Sequence, residues 1–148
     1  MSREPAVGVV IVTHGQLATE LLNVAEMIVG DLPQFTALSI GWHDDVTAAR
    51  EAMQEAATRL NAGAGVLLVT DMFGGTPANL ALSLVDAGRV EVVTGVNLPM
   101  LIKLARTTRG QGDLATLARQ ACKDGKDAIR MVSDLLRSER DAGGGKTT

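Results

Sequence analysis

The sequence predicts an open α/β fold: a mainly parallel four-stranded sheet with helices on both faces. Two observations carry this. Short runs of Val, Ile and Leu alternate with segments whose apolar residues recur at helical spacing, the pattern of successive βαβ units. The runs are also followed by glycine-containing loops, in a chain with 16 glycines among 148 residues, as tight turns at strand ends require.

Val7 to Val12 is apolar throughout and reads as a buried first strand. Leu17, Leu21, Val24 and Ile28 form a helical stripe, closed by Gly30. Phe35 to Ile40 is the second strand. Asp44 or Asp45 caps the next helix, with a stripe of Val46, Ala49, Met53, Ala57 and Leu60. Val66 to Thr70 is the third strand. Thr76 caps a helix with Pro77 in its first turn, running through Leu80 and Leu84 to Gly88. Val90 to Thr94 is the fourth strand, and Asn97-Leu98-Pro99 opens a helix to about Arg106.

Leu114, Leu117, Ala118 and Ala121 support a helix from about Asp113. Residues 128–136 read either as its continuation or as an extra antiparallel edge strand, because Ile129 and Met131 alternate with Arg130; periodicity does not separate the two. Residues 137–148 are charged, then glycine-rich, and read as a disordered tail after one domain spanning 1–136.

Composition narrows the function. The chain is 46% hydrophobic and 21% charged, with a formal net charge of −3 and no basic block, which argues against nucleic acid as a partner. Phe35, Trp42 and Phe73 are its only aromatics, too few for a base-stacking platform. No apolar run reaches the roughly 20 residues of a spanning helix, and no leader pattern is seen. Cys122 is alone, so no internal disulfide or CxxC pair exists. A cytoplasmic protein with no membrane insertion is expected.

Three segments at strand ends carry the chemistry: Thr13-His14-Gly15, residues 71–79 and residues 95–99. In a parallel sheet with short crossovers they reach the same edge, where ligands bind in open α/β folds. If the first and third strands are neighbours, Asp71 can accept a hydrogen bond from one ring nitrogen of His14, fixing the tautomer and leaving the other nitrogen free. An oriented neutral imidazole is both base and nucleophile. Ser39 and Ser83 lack a nucleophile's context and Cys122 is remote, which leaves His14 itself. Gly74, Gly75 and Thr76 present main-chain N–H groups at a helix start, a surface suited to a phosphoryl group. No lysine follows them as in a Walker A loop.

Together, Val10-Ile11-Val12-Thr13-His14-Gly15, Asp71-Met72-Phe73-Gly74-Gly75-Thr76-Pro77 with Asn79, and Val93-Thr94-Gly95-Val96-Asn97-Leu98-Pro99-Met100-Leu101 closely resemble the enzyme IIA component of the mannose-family phosphoenolpyruvate:sugar phosphotransferase system, over about Val7 to Ala121. The resemblance implies a relay in which His14 receives a phosphoryl group from the phosphocarrier protein HPr and passes it to an enzyme IIB. Asp71 would orient the ring, leaving Nε2 as the phosphorylated atom, and Thr76 would donate to a phosphate oxygen. It also implies a homodimer, in which residues 128–133 would form a strand on the partner subunit. No cofactor and no metal are called for. No IIB domain follows in the chain, so a separate IIB protein is expected. A regulatory phosphoprotein and the phosphotransfer subunit of a dihydroxyacetone kinase are the alternatives.

Other residues have plainer readings. Asn97 and Pro99 shape a helix start. Met72 and Phe73 are either an apolar collar for a docking partner or buried under their loop. His43, Asp44 and Asp45 beside Trp42 lack the spacing of a metal site.

Overall fold

A computed structural model of the chain describes residues 5–41, 44–107 and 112–146. Its elements are β1 (Gly8–His14), α1 (Leu17–Val29), β2 (Phe35–Ile40), α2 (Val46–Leu60), β3 (Val66–Thr70), α3 (Gly75–Leu82), β4 (Val90–Thr94), α4 (Leu98–Thr107), α5 (Leu114–Asp127) and α6 (Val132–Lys146). The four strands form one parallel sheet in the order β2-β1-β3-β4. This is the predicted α/β architecture.

The strand residues divide by parity between two cores. Val9, Ile11, Leu67, Val69 and Val93 pack under α1, α4 and α5. Val10, Val12, Val66 and Leu68 pack under α2 and α3. With helices on both faces, β1 is buried as far as Thr13 and β3 throughout, which is why both are apolar runs up to their last residues. Gly8 lets α2 close onto β1: a Cβ there would lie 2.7 Å from Leu60 Cβ.

Local signals place most boundaries. Asp45 caps α2 by accepting from Thr47 N–H at 3.0 Å, and Asp113 caps α5 by accepting from Thr116 N–H at 2.8 Å. Asn97 Oδ1 accepts from Met100 N–H at 3.1 Å, while its Nδ2 donates to Gly125 O at 3.0 Å. Asn97 therefore shapes the start of α4 and ties it to α5.

Four readings need correction. The α1 stripe is displaced: Ala18 and Ala25 are fully buried, whereas Leu17, Val24 and Ile28 are exposed. Alanines let the helix approach the sheet closely, so small side chains take the inner face and larger apolar ones the rim. The helix after β3 starts at Gly75 with Gly74 as N-cap, so Thr76 is not its cap. It also ends at Leu82, although Leu84 remains buried beyond it. Finally, no antiparallel edge strand is present among the described residues. α5 ends at Asp127, a short connector follows, and α6 begins at Val132. The alternation of Ile129 and Met131 belongs to that connector and is matched to no strand.

The segment read as a tail is helical through Lys146. Its side chains are exposed from Val132 through residue 142, and α6 makes at most marginal contact with the rest of the chain. Trp42 and His43 lie outside the described residues. Beside them, Asp44 Oδ2 accepts from Gly41 N–H at 2.6 Å.

Candidate active site

The strand order creates the site. The chain steps from β1 to β2 on one side, then crosses back to lay β3 on the other side of β1. The point between β1 and β3 is where the direction of winding reverses, and a crevice opens there beyond the carboxyl ends of the strands. His14 is the last residue of β1, and Asp71 follows the last residue of β3.

The two side chains meet. His14 Nδ1 lies 2.9 Å from Asp71 Oδ2, and the same oxygen accepts from the His14 main-chain N–H at 3.0 Å. Asp71 Oδ1 accepts from Met72 N–H at 3.0 Å. Partial burial pushes the Asp71 carboxyl upward, but hydrogen bonds from the His14 ring and main chain, with the attraction of the imidazole, outweigh it and hold the group below its ordinary value of 3.8. An ionised carboxylate only accepts, so Nδ1 carries the proton, and in the neutral ring Nε2 keeps its lone pair.

Nε2 faces the start of α3. Gly75 has φ +82°, and a Cβ on it would come within 3.1 Å of His14 Cε1 and 3.2 Å of Nε2. The absence of a side chain there lets the ring stand against the helix N-terminus. The N–H groups of Gly75 and Thr76 open that helix and have no carbonyl to bind within it, while Pro77 contributes none. A cleft of about 170 Å³ is lined by His14, Gly15, Ile40, Gly41, Asp44 and Thr76, among others. Among the described residues, no lysine or arginine lines it.

The structure thus brings His14, Asp71, Gly75 and Thr76 together. Gly74 is the α3 N-cap, with open space where a Cβ would stand. Met72 and Phe73 are 54% and 77% exposed, so they are not buried under their loop. Val46, which also lines the cleft, and Leu17, three residues beyond His14, are exposed as well. The reading from sequence missed Thr13 and Thr70, the only polar side chains described as fully buried. Each directly precedes a site residue, at the end of β1 and of β3. The one signal available was a threonine ending an otherwise aliphatic run.

Known proteins resemble this chain. The protein-family pattern described as "PTS system fructose IIA component" matches residues 8–132, which include every residue of the site. The chain belongs to this IIA family. The mannose-specific EIIAB component of Escherichia coli K12 is 31% identical over 132 residues, covering 85% of this chain and 39% of that protein. The chain therefore spans well under half the length of that two-part relative. The sorbose-specific EIIA component of Lacticaseibacillus casei is 30% identical over 98 residues, covering 66% of this chain and 70% of that protein. Among solved structures, the mannose/sorbose-specific IIA subunit from Enterococcus faecalis superposes with a TM-score of 0.75 at 26% identity, covering 85% of this chain and 94% of that one. No helix among the described residues of this IIA protein is long and apolar enough to cross a membrane.

Proposed function

We propose that this IIA-family chain is a phosphoryl carrier that takes the group from phospho-HPr onto His14 Nε2 and passes it to an enzyme IIB component for sugar uptake. The observation that carries the reading is the His14–Asp71 pair at 2.9 Å, with Nε2 turned toward the glycine-lined start of α3.

In the first transfer, the donor's nitrogen–phosphorus bond breaks as the Nε2–phosphorus bond forms. The donor imidazole leaves with the bonding electron pair, so no oxidant, metal or cofactor is needed. Little covalent work falls to the protein; positioning and charge stabilisation do the rest. Nδ1 keeps its proton throughout, and the Asp71 carboxylate offsets the positive charge that develops on the ring. The amides of Gly75 and Thr76, the Gly74–Gly75 turn and the Thr76 hydroxyl hold the phosphoryl oxygens. Among the described residues the cleft is lined by Asp44 and by no lysine or arginine, which suits a carrier, because the group is held without being trapped. In the second transfer the Nε2–phosphorus bond breaks toward a nitrogen of IIB. Exposed Met72, Phe73, Leu17 and Val46 form the apolar rim on which donor and acceptor dock in turn.

The working protein is a cytoplasmic homodimer. Support comes from the outer edge of β4, which among the described residues is bridged only at Val90, by Asp86, and from exposed Ile129, Met131, Val132, Leu135 and Leu136 on the C-terminal segment.

Incubation with phosphoenolpyruvate, enzyme I and HPr tests the carrier role. An acid-labile, base-stable adduct should form, and His14→Ala should abolish it; a variant that is still phosphorylated would remove His14 from the relay. Sugar uptake with and without the gene then separates a transport component from a regulator.

A further inference from the structure

We propose that Thr13 is a positioning residue for this phosphoryl transfer, its buried hydroxyl setting the main chain of His14 and through it the aim of Nε2. The proposal rests on the reading of His14 as the acceptor.

Thr13 has the same parity on β1 as Val9 and Ile11, whose side chains pack under α1, and it is fully buried. Its Oγ1 accepts from Ala18 N–H at 2.7 Å and donates to the His14 carbonyl at 3.1 Å. The α1 N-cap, Gln16, makes no side-chain capping bond. An orphan amide of the first helical turn is therefore satisfied from the preceding strand. One hydroxyl thus closes the turn from residue 13 to residue 18, with His14 inside it.

That turn needs to be rigid, because Asp71 Oδ2 takes two bonds from His14, one from the ring and one from the main-chain N–H. Both survive only over a narrow range of main-chain orientation. The His14 carbonyl is bonded by Thr13, and the next amide, Gly15 N–H, donates to Ile40 O at 2.9 Å. Thr13 therefore holds the peptide that follows His14, while Asp71 holds the N–H of the peptide that precedes it. Thr70, equally buried before Asp71, differs: its hydroxyl reaches only Met72 O, at 3.4 Å.

Thr13→Val keeps the shape and removes the hydroxyl; Thr13→Ser keeps the hydroxyl. Single-turnover transfer from phospho-HPr should fall about tenfold or more in T13V, at an unchanged half-saturating donor concentration, and T13S should recover to within about twofold. Nitrogen-15 shifts of the His14 ring should report a single Nδ1–H tautomer in the natural protein and in T13S, and a mixture in T13V. Leu104→Ala, a buried α4 change, supplies a stability-matched control that should transfer normally. Unchanged rate and ring shifts in T13V, a T13S as slow as T13V, or an equally slow L104A would each overturn the proposal. If T13V does not fold, Thr13→Ala is used in its place. Failure of both to fold while T13S folds would assign the hydroxyl to stability alone and also overturn it. If the natural protein takes no phosphoryl group, the carrier reading fails, and the ring shifts alone then decide Thr13.

Discussion

At the scale of single residues, the site rests on one carboxylate oxygen shared by the ring and the main chain of His14. An amide cannot reproduce this, because Asn carries no charge to offset an imidazolium, and with its oxygen on His14 its NH2 would face the Met72 N–H that Oδ1 now accepts from. Asp71→Asn should slow phosphoryl acceptance by about a hundredfold, read by rapid quench against the natural protein at saturating donor. The same pair has a signature in acid. The Asp71 carboxyl is lowered in the folded chain, so its contribution to stability is fully present above its ordinary value and is lost as pH falls through the folded value. The stability difference between natural protein and D71N, measured by denaturant titration, should therefore shrink as pH falls below about 4. A difference that does not shrink there would contradict the ionised pair.

At the scale of elements, the loop from Asp71 into α3 does two things. Its glycines hold a left-handed backbone, with Gly74 at φ +88° and Gly75 at φ +82°, and they let the imidazole approach. Gly74→Ala and Gly75→Ala should each cost about 1–3 kcal/mol of stability for that backbone alone. Only Gly75→Ala puts a methyl group against Nε2, so it should lose phosphoryl transfer far more than Gly74→Ala does, as single-turnover assays on the folded variants would show. The other half of the loop is apolar and exposed. Phe73→Ala should raise the half-saturating concentration of HPr several-fold with little change in the rate at saturation, since it removes docking area and no group from the chemistry.

At the scale of the molecule, the C-terminal segment stands apart. An isolated helix of about 15 residues is marginal in water, and among the described residues α6 makes at most marginal contact with its own chain. The proposed dimer, with a second copy covering Ile129, Met131, Leu135 and Leu136, would account for both the helix and the apolar surface. Ile129→Asp with Leu136→Asp should convert a dimer to a monomer in sedimentation velocity while leaving the chain folded, since both side chains are exposed. A natural protein that sediments as a monomer at micromolar concentration would refute the dimer.

Strands, most helix starts and the three strand-end motifs were legible from residue 7 to residue 121, because apolar runs, capping residues and turn glycines are local signals. Those motifs also carried the family. What the line of residues left open was whether β1 lies beside β3, since that depends on two segments 57 positions apart at His14 and Asp71 finding each other through the packing of α2 across the sheet. Only the β2-β1-β3-β4 order decides it, and with it the 2.9 Å contact. Side-chain direction was hidden for the same reason. Helical periodicity marks apolar positions on α1 but not that alanines, being small, take the inner face, and a threonine at a strand end does not show that its hydroxyl is spent on a histidine carbonyl. Local chemistry is written in neighbours along the chain; orientation is settled by what packs against it.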